Sequence, residues 1–146
     1  MYKHILIPLD GSLSAEKAIE AGIALARRGT ARVTLFTAVP EYRSPGRPDT
    51  LRELAPLWDH ERTSRDRAQA ILRPAAARLR AAGIECDTAY AESNRPHEAI
   101  IDAARARGCD LILMSSHGRR GLREAWYGSE THAVLKHSSI PTLVYR

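Results

Sequence analysis

The sequence predicts an α/β protein built on a parallel sheet, and three observations carry that prediction. Short runs rich in apolar and β-branched residues alternate with longer stretches whose apolar residues recur at helical spacing. The run from Asp110 to Ser115 is apolar without interruption between its ends, as a central parallel strand covered on both faces requires. Glycine or proline punctuates most of the junctions. The 146 residues suit one domain spanning 1–146 with a substantial core.

Lys3 to Leu9 is the first strand, and Asp10-Gly11-Ser12 turns it into a helix that buries Ala15, Ala18, Ile19, Gly22, Ile23 and Ala26. Ser12 is the expected N-cap, Glu16 lies favourably near the positive helix end, and Gly29 is the expected stop. Arg32 to Val39 forms the second strand, ended by Pro40. From Glu41 to about Pro56 the prolines and charges predict a surface excursion. A long helix is expected from Leu57 to Ala82, with Ala68, Ile71, Leu72, Ala75, Ala76 and Leu79 inward and Gly83 beyond it. Pro74 lies inside that helix, where it predicts a bend or two shorter helices. Ile84 to Ala91 alternates as a strand, and Ser93 to Pro96 opens a helix that buries Ala99, Ile100, Ala103 and Ala104 and stops at Gly108. Asp110 to Ser115 is the fourth strand, Gly128 to His137 the last helix, and Pro141 to Tyr145 a terminal strand.

Composition narrows the function classes. No apolar run reaches the roughly 20 residues of a membrane span, and Met1 to Ile5 leads directly into a strand without a signal-peptide layout, so a cytoplasmic protein is expected. Cys86 and Cys109 have no metal-ligand or redox spacing, and the histidines do not stack on one helical face, so reduced thiols and no metal site are expected. The net charge of +5 is spread over helix faces with few aromatics among the arginines, which argues for a solvated basic surface against nucleic-acid binding.

The stretch that carries chemistry starts at Met114-Ser115-Ser116-His117-Gly118 and resumes, after nine residues, at Gly128-Ser129. An apolar strand stops at small polar residues, a loop with Arg119, Arg120 and Arg123 follows, and a helix starts. Glycines admit an anion close to bare backbone, and a helix N-terminus supplies free N–H groups and a favourable dipole. In parallel α/β sheets ligands sit beyond the carboxyl ends of strands where the strand order reverses, so Asp10 and the loop from Ser115 to Gly118 line one crevice if strands one and four are neighbours. Asp10 has a second reading, as the residue that shapes the first turn. No Walker loop is present, and Asp10 with His117 is a thin acid–base pair, so binding is better supported than catalysis.

With the opening Ile5 to Ser12 and the closing Pro141 to Tyr145, these residues resemble the universal stress protein family over essentially the whole chain. The family motif of glycine, two residues, glycine, nine residues, glycine and Ser/Thr falls on Ser115, Gly118, Gly128 and Ser129, with serine in place of the first glycine. The resemblance implies an open five-stranded parallel sheet of order 3-2-1-4-5 with helices on both faces, in the Rossmann-like manner. It also implies ATP across the ends of strands one and four. Pro8, Leu9 and Asp10 would contact adenosine, Ala38 would meet adenine through its backbone, and Met114 would pack on the nucleoside. Ser115, His117 and Gly118 would follow the ribose and phosphates, while Gly128, Ser129, Glu130 and Thr131 would meet the phosphates, with Mg²⁺ as the ion that would accompany them. The function so implied is an adenine-nucleotide-binding stress-response regulator with protein partners. The alternative is a dimeric interaction scaffold of the same fold without nucleotide. A homodimer along the last strand is implied too, and Leu143 to Tyr145 form an uncharged edge suited to it.

Overall fold

The computed structural model describes residues 1–41, 51–116 and 126–146. The strands are β1 (His4–Pro8), β2 (Arg32–Val39), β3 (Cys86–Glu92), β4 (Leu111–Ser115) and β5 (Thr142–Tyr145). The helices are α1 (Ser14–Gly29), α2 (Leu51–Ala81), α3 (Pro96–Ala106) and α4 (Trp126–His137). The strands form one parallel sheet in the order β3-β2-β1-β4-β5, as expected.

Strand alternation divides the core in two. Ile5, Ile7, Leu35 and Leu113 face α1 and α2, where Ala18, Ile19, Leu72 and Leu79 meet them. Leu6, Phe36, Ile112 and Met114 face α3 and α4, against Ile100, Ala104 and Val134. Gly22 lets α1 lie close on the sheet, since a Cβ there would fall 2.4 Å from Ile7 Cδ1.

Several local expectations are corrected. Ser12 does not cap α1. The helix begins at Ser14 with Leu13 at the N-cap and no side-chain cap, because the Ser12 N–H donates to Asp10 Oδ1 at 2.8 Å and its hydroxyl bonds that of Ser14. Gly29 ends α1 as its last helical residue, and Thr30 takes the left-handed position at φ 55°, its N–H bonded to the Ala26 carbonyl. The predicted surface excursion does not extend to Pro56, because the chain is already helical from Leu51; residues 42–50 lie outside the described residues. Pro74 does not divide α2 into two helices; it removes only the N–H that would have reached the Ala70 carbonyl.

The amino end of the sheet is tied by Asp110, whose carboxylate accepts the Lys3 and His4 N–H groups at 2.9 Å each. Burial favours the neutral Asp110 acid, but these donors outweigh it and hold the carboxyl below its usual range. His4 is buried, with Nε2 2.8 Å from Thr34 Oγ1, and burial followed by the Arg32 charge holds its imidazole below the ordinary 6.5 against the opposing pull of Asp110 and Asp87. Above that value both folded and unfolded chains carry a neutral His4. As the pH falls below it the unfolded chain takes the proton first, so stability should decline from about 6.5 downward until the folded value is reached. A His4→Gln variant should show a flatter urea midpoint between about pH 6.5 and 5 than the parent protein. An unchanged slope would show that other groups set this dependence.

Candidate functional site

The carboxyl end of the sheet is stepped, because β1 ends at Pro8 while β2 and β4 run past it. β1 pairs with β4 in register only at Ile5↔Leu111 and Leu6↔Ile112. Pro8 carries no N–H with which to continue toward β4. On the other side β1 pairs with β2 as far as Pro8↔Phe36, and the Leu9 N–H donates to the Phe36 carbonyl at 2.7 Å. β2 then runs three residues further, to Val39, beside β3 alone.

That overhang has a direction. The Arg32 N–H reaches Lys3 and the Phe36 carbonyl accepts from Leu9, so even-numbered residues of β2 turn their main chain toward β1. The Val33 N–H and the Val39 carbonyl bond β3-side residues Glu85 and Ser93, so odd-numbered residues turn the other way. Ala38 therefore presents its N–H and C=O over the end of β1, without a main-chain partner among the described residues. A donor and an acceptor side by side at a sheet end can read the edge of a planar base.

A cavity of about 490 Å³ lies at this point, lined by Asp10, Thr37, Ala38, Val39 and Pro40 from the sheet side and by Arg67, Ala70 and Ile71 from α2. It brings together Asp10 and Ala38 of the residues named from sequence. Thr37, Arg67 and the α2 wall were missed, since only the fold puts α2 over the end of β2. Thr37 is 1 % exposed and its Oγ1 has no hydrogen-bond partner. A second cavity, about 290 Å³ between α1 and α2, shares Ala70 and Ile71 with the first and takes in Leu9, Gly11 and Ser12. Gly11 holds φ +79° there, and a Cβ on it would come within 3.3 Å of Ile71.

The other predicted residues divide. Pro8 closes β1, and Leu9 places its side chain in the core. Met114 is 1 % exposed in the core against α3 and α4, so only its main chain belongs to the crevice end of β4. Ser115 is buried at the end of β4, and it is not among the residues with positive φ. Its Cβ is therefore free of the left-handed strain that would have demanded glycine. His117 and Gly118, with Arg119, Arg120 and Arg123, lie outside the described residues.

α4 begins at Trp126, two residues before the predicted start, so Gly128 falls within its first turn, where N–H groups lack intrahelical acceptors. Because β4 and β5 are parallel, that turn stands at the carboxyl side of the sheet. Gly128 is exposed, lacks positive φ, and has nothing within 4 Å of the position a Cβ would take. Neither backbone conformation nor packing among the described residues requires glycine there. Ser129 is exposed behind it, while Thr131 is buried with its hydroxyl unpartnered. Glu130 turns onto α3, its Oε2 accepting the His97 N–H at 2.7 Å and lying 3.0 Å from His97 Nδ1.

Other reactive groups offer little chemistry. Burial pushes the Cys109 thiol up to about 11, so it stays protonated, and the Cys86 thiol is also raised by burial. Ser64 Oγ at 3.1 Å and Glu92 Oε2 at 3.7 Å both face Nε2 of His60, whereas a nucleophile relay needs its hydroxyl and acid on opposite ring nitrogens. Among the described residues no three His, Cys, Asp or Glu side chains are placed to hold a metal ion, and no helix is long and apolar enough to cross a membrane.

Fold and crevice together define a doubly wound α/β protein with an open site at its topological switch point. The model of the universal stress protein family matches residues 1–146, and the chain belongs to that family. A Thermus aquaticus relative, the universal stress protein in the QAH/OAS sulfhydrylase 3′ region, is 31% identical over the full length of both chains. The solved structure of MJ0577 from Methanocaldococcus jannaschii is 29% identical and superposes with a TM-score of 0.74 over 99% of this chain and 95% of that one. The Archaeoglobus fulgidus universal stress protein, solved in complex with dAMP, shares the fold at 18% identity, with a TM-score of 0.71 over 99% of this chain and 98% of that one.

Proposed function

We propose that this protein binds an adenine nucleotide, with ATP the expected ligand, and acts as a homodimeric regulator in the stress response. The observation that carries the reading is the Ala38 N–H and C=O pair, without a main-chain partner among the described residues at the overhang of β2, in a cavity of about 490 Å³ that Asp10 also lines. Adenine offers a ring nitrogen acceptor and an exocyclic amino donor to such a pair, and Asp10 would accept from a ribose hydroxyl. Gly128 supports the phosphate end, since it leaves room in a helical first turn that none of the described residues uses. Glu130 is occupied by His97, which lessens its repulsion of phosphates; Mg²⁺ would be held by the phosphates themselves. The dAMP held by the Archaeoglobus relative supports the ligand class.

Titration calorimetry with Mg-ATP tests the reading. Saturable binding is expected for the parent protein, with affinity at least about a hundredfold weaker in Gly128→Val, where a branched side chain would stand in the phosphate path. The variant should fold, because none of the described residues lies near the introduced Cβ. No heat at millimolar ATP in the parent protein would sink the proposal.

The dimer is proposed along β5, whose edge carries Leu143 and Tyr145 at 43% and 45% exposure. Sedimentation at micromolar concentration should give a dimer for the parent protein and a monomer for Leu143→Asp. A monomeric parent protein would rule this interface out.

A further inference from the structure

The sheet has a second edge, and its chemistry is opposite to that of β5. The Glu85 carbonyl and the Ser93 N–H bond β2, so odd-numbered residues of β3 turn their main chain inward. Cys86, Thr88, Tyr90 and Glu92 consequently present theirs outward, unpaired among the described residues. Natural edges are blunted with lysine, proline or bulges. β3 has none of the first two, and its only charges are Asp87 and Glu92.

Beside this edge runs a groove of about 460 Å³ between β3 and α3. Ala89, Ala91, Ala99 and Ala103 line it with small apolar side chains among polar ones, and Asp102 and Glu92, the latter with Oε2 3.7 Å from His60 Nε2, bring acids to it. Asp102 has no ion pair among the described residues, although the chain as a whole carries a net charge of +5. Arg107 lines the groove, and Glu98, also lining it, is held by Arg95 at 2.8 Å.

We propose that the β3 edge is a docking site for an extended, basic segment of a partner protein, which adds to the sheet as a further strand. The outward main chain of β3 supplies the hydrogen bonds, the alanine-lined groove takes apolar side chains from alternate positions of the incoming strand, and Glu92 and Asp102 meet its lysines or arginines. The acids of β3 itself disfavour a second copy of this chain, since pairing β3 with β3 would bring Asp87 and Glu92 of both copies together. The inference is independent of nucleotide binding.

The test uses the full chain, isotope-labelled, with a peptide of about nine residues alternating lysine and valine. The β3 amides should respond by parity. Exchange at Thr88 and Tyr90 should slow at least about tenfold on saturation, while Ala89 and Ala91, already bonded to β2, should change little. A Glu92→Lys, Asp102→Lys variant should bind this peptide at least about tenfold more weakly and should instead bind a glutamate–valine peptide. Unchanged exchange, slowing at odd and even amides alike, or undiminished binding by the variant would overturn the proposal. So would protection at Thr88 and Tyr90 that rises with protein concentration when no peptide is present.

Discussion

Replacing Phe36 by alanine should lower the free energy of unfolding by about 3–5 kcal/mol, as read from urea titrations. Phe36 is the chain's one phenylalanine and is 1 % exposed. It sits on the α3 and α4 side of the central sheet with Leu6, Ile100, Ile112 and Met114, all buried. Truncation would leave a cavity among strands that cannot collapse without breaking their ladders. Phe36→Leu keeps most of the volume and should cost about 1 kcal/mol. The same residue's carbonyl accepts the Leu9 N–H that sets Ala38 over the end of β1. The alanine variant should therefore also weaken Mg-ATP more than Phe36→Leu does. A loss in stability below about 1 kcal/mol for alanine would mean that this layer repacks or admits water.

Glu130→Ala should cost about 2–3 kcal/mol. Its carboxylate is 19% exposed and serves as the cap that α3 lacks in its own sequence, for Arg95 at the N-cap makes no side-chain cap bond. An acid there also faces the positive end of α3. Glu130→Gln retains an acceptor for the His97 N–H and should recover roughly half of the loss. Because the contact ties the first turns of α4 to α3, the alanine variant should also bind Mg-ATP more weakly than the glutamine variant. Equal stabilities for the two variants would show that the His97 bonds are spent against water.

The order of elements was legible because the inner strands β1, β2 and β4 had to be buried on both faces, and each helix had to be apolar on one. Ile5, Leu35 and Leu113 declare a covered sheet, and Ala18, Ile19, Leu72 and Leu79 declare the stripes that cover it. Local chemistry was read less well where two groups competed for one partner. Ser12 looks like a cap until Asp10 takes its N–H, and Gly29 looks like the residue that turns the chain until Thr30 takes the left-handed position. The start of α2 was hidden by Pro56, which the helix tolerates inside its second turn. For the candidate site, Asp10 and Gly128 could be named from their residue types. Ala38 came only through the family resemblance, since its proposed role rests on which way a peptide group points in the ladder. Arg67 and Thr37 could not be found at all, because no sequence pattern puts α2 over β2.

The register pairs divide the sheet into two leaves. β3, β2 and β1 form one, held along β1 by five register pairs, and β4 with β5 forms the other, joined to the first at two. A ligand laid across both leaves at their carboxyl ends would fasten one to the other, and the melting temperature would report its occupancy by mass action.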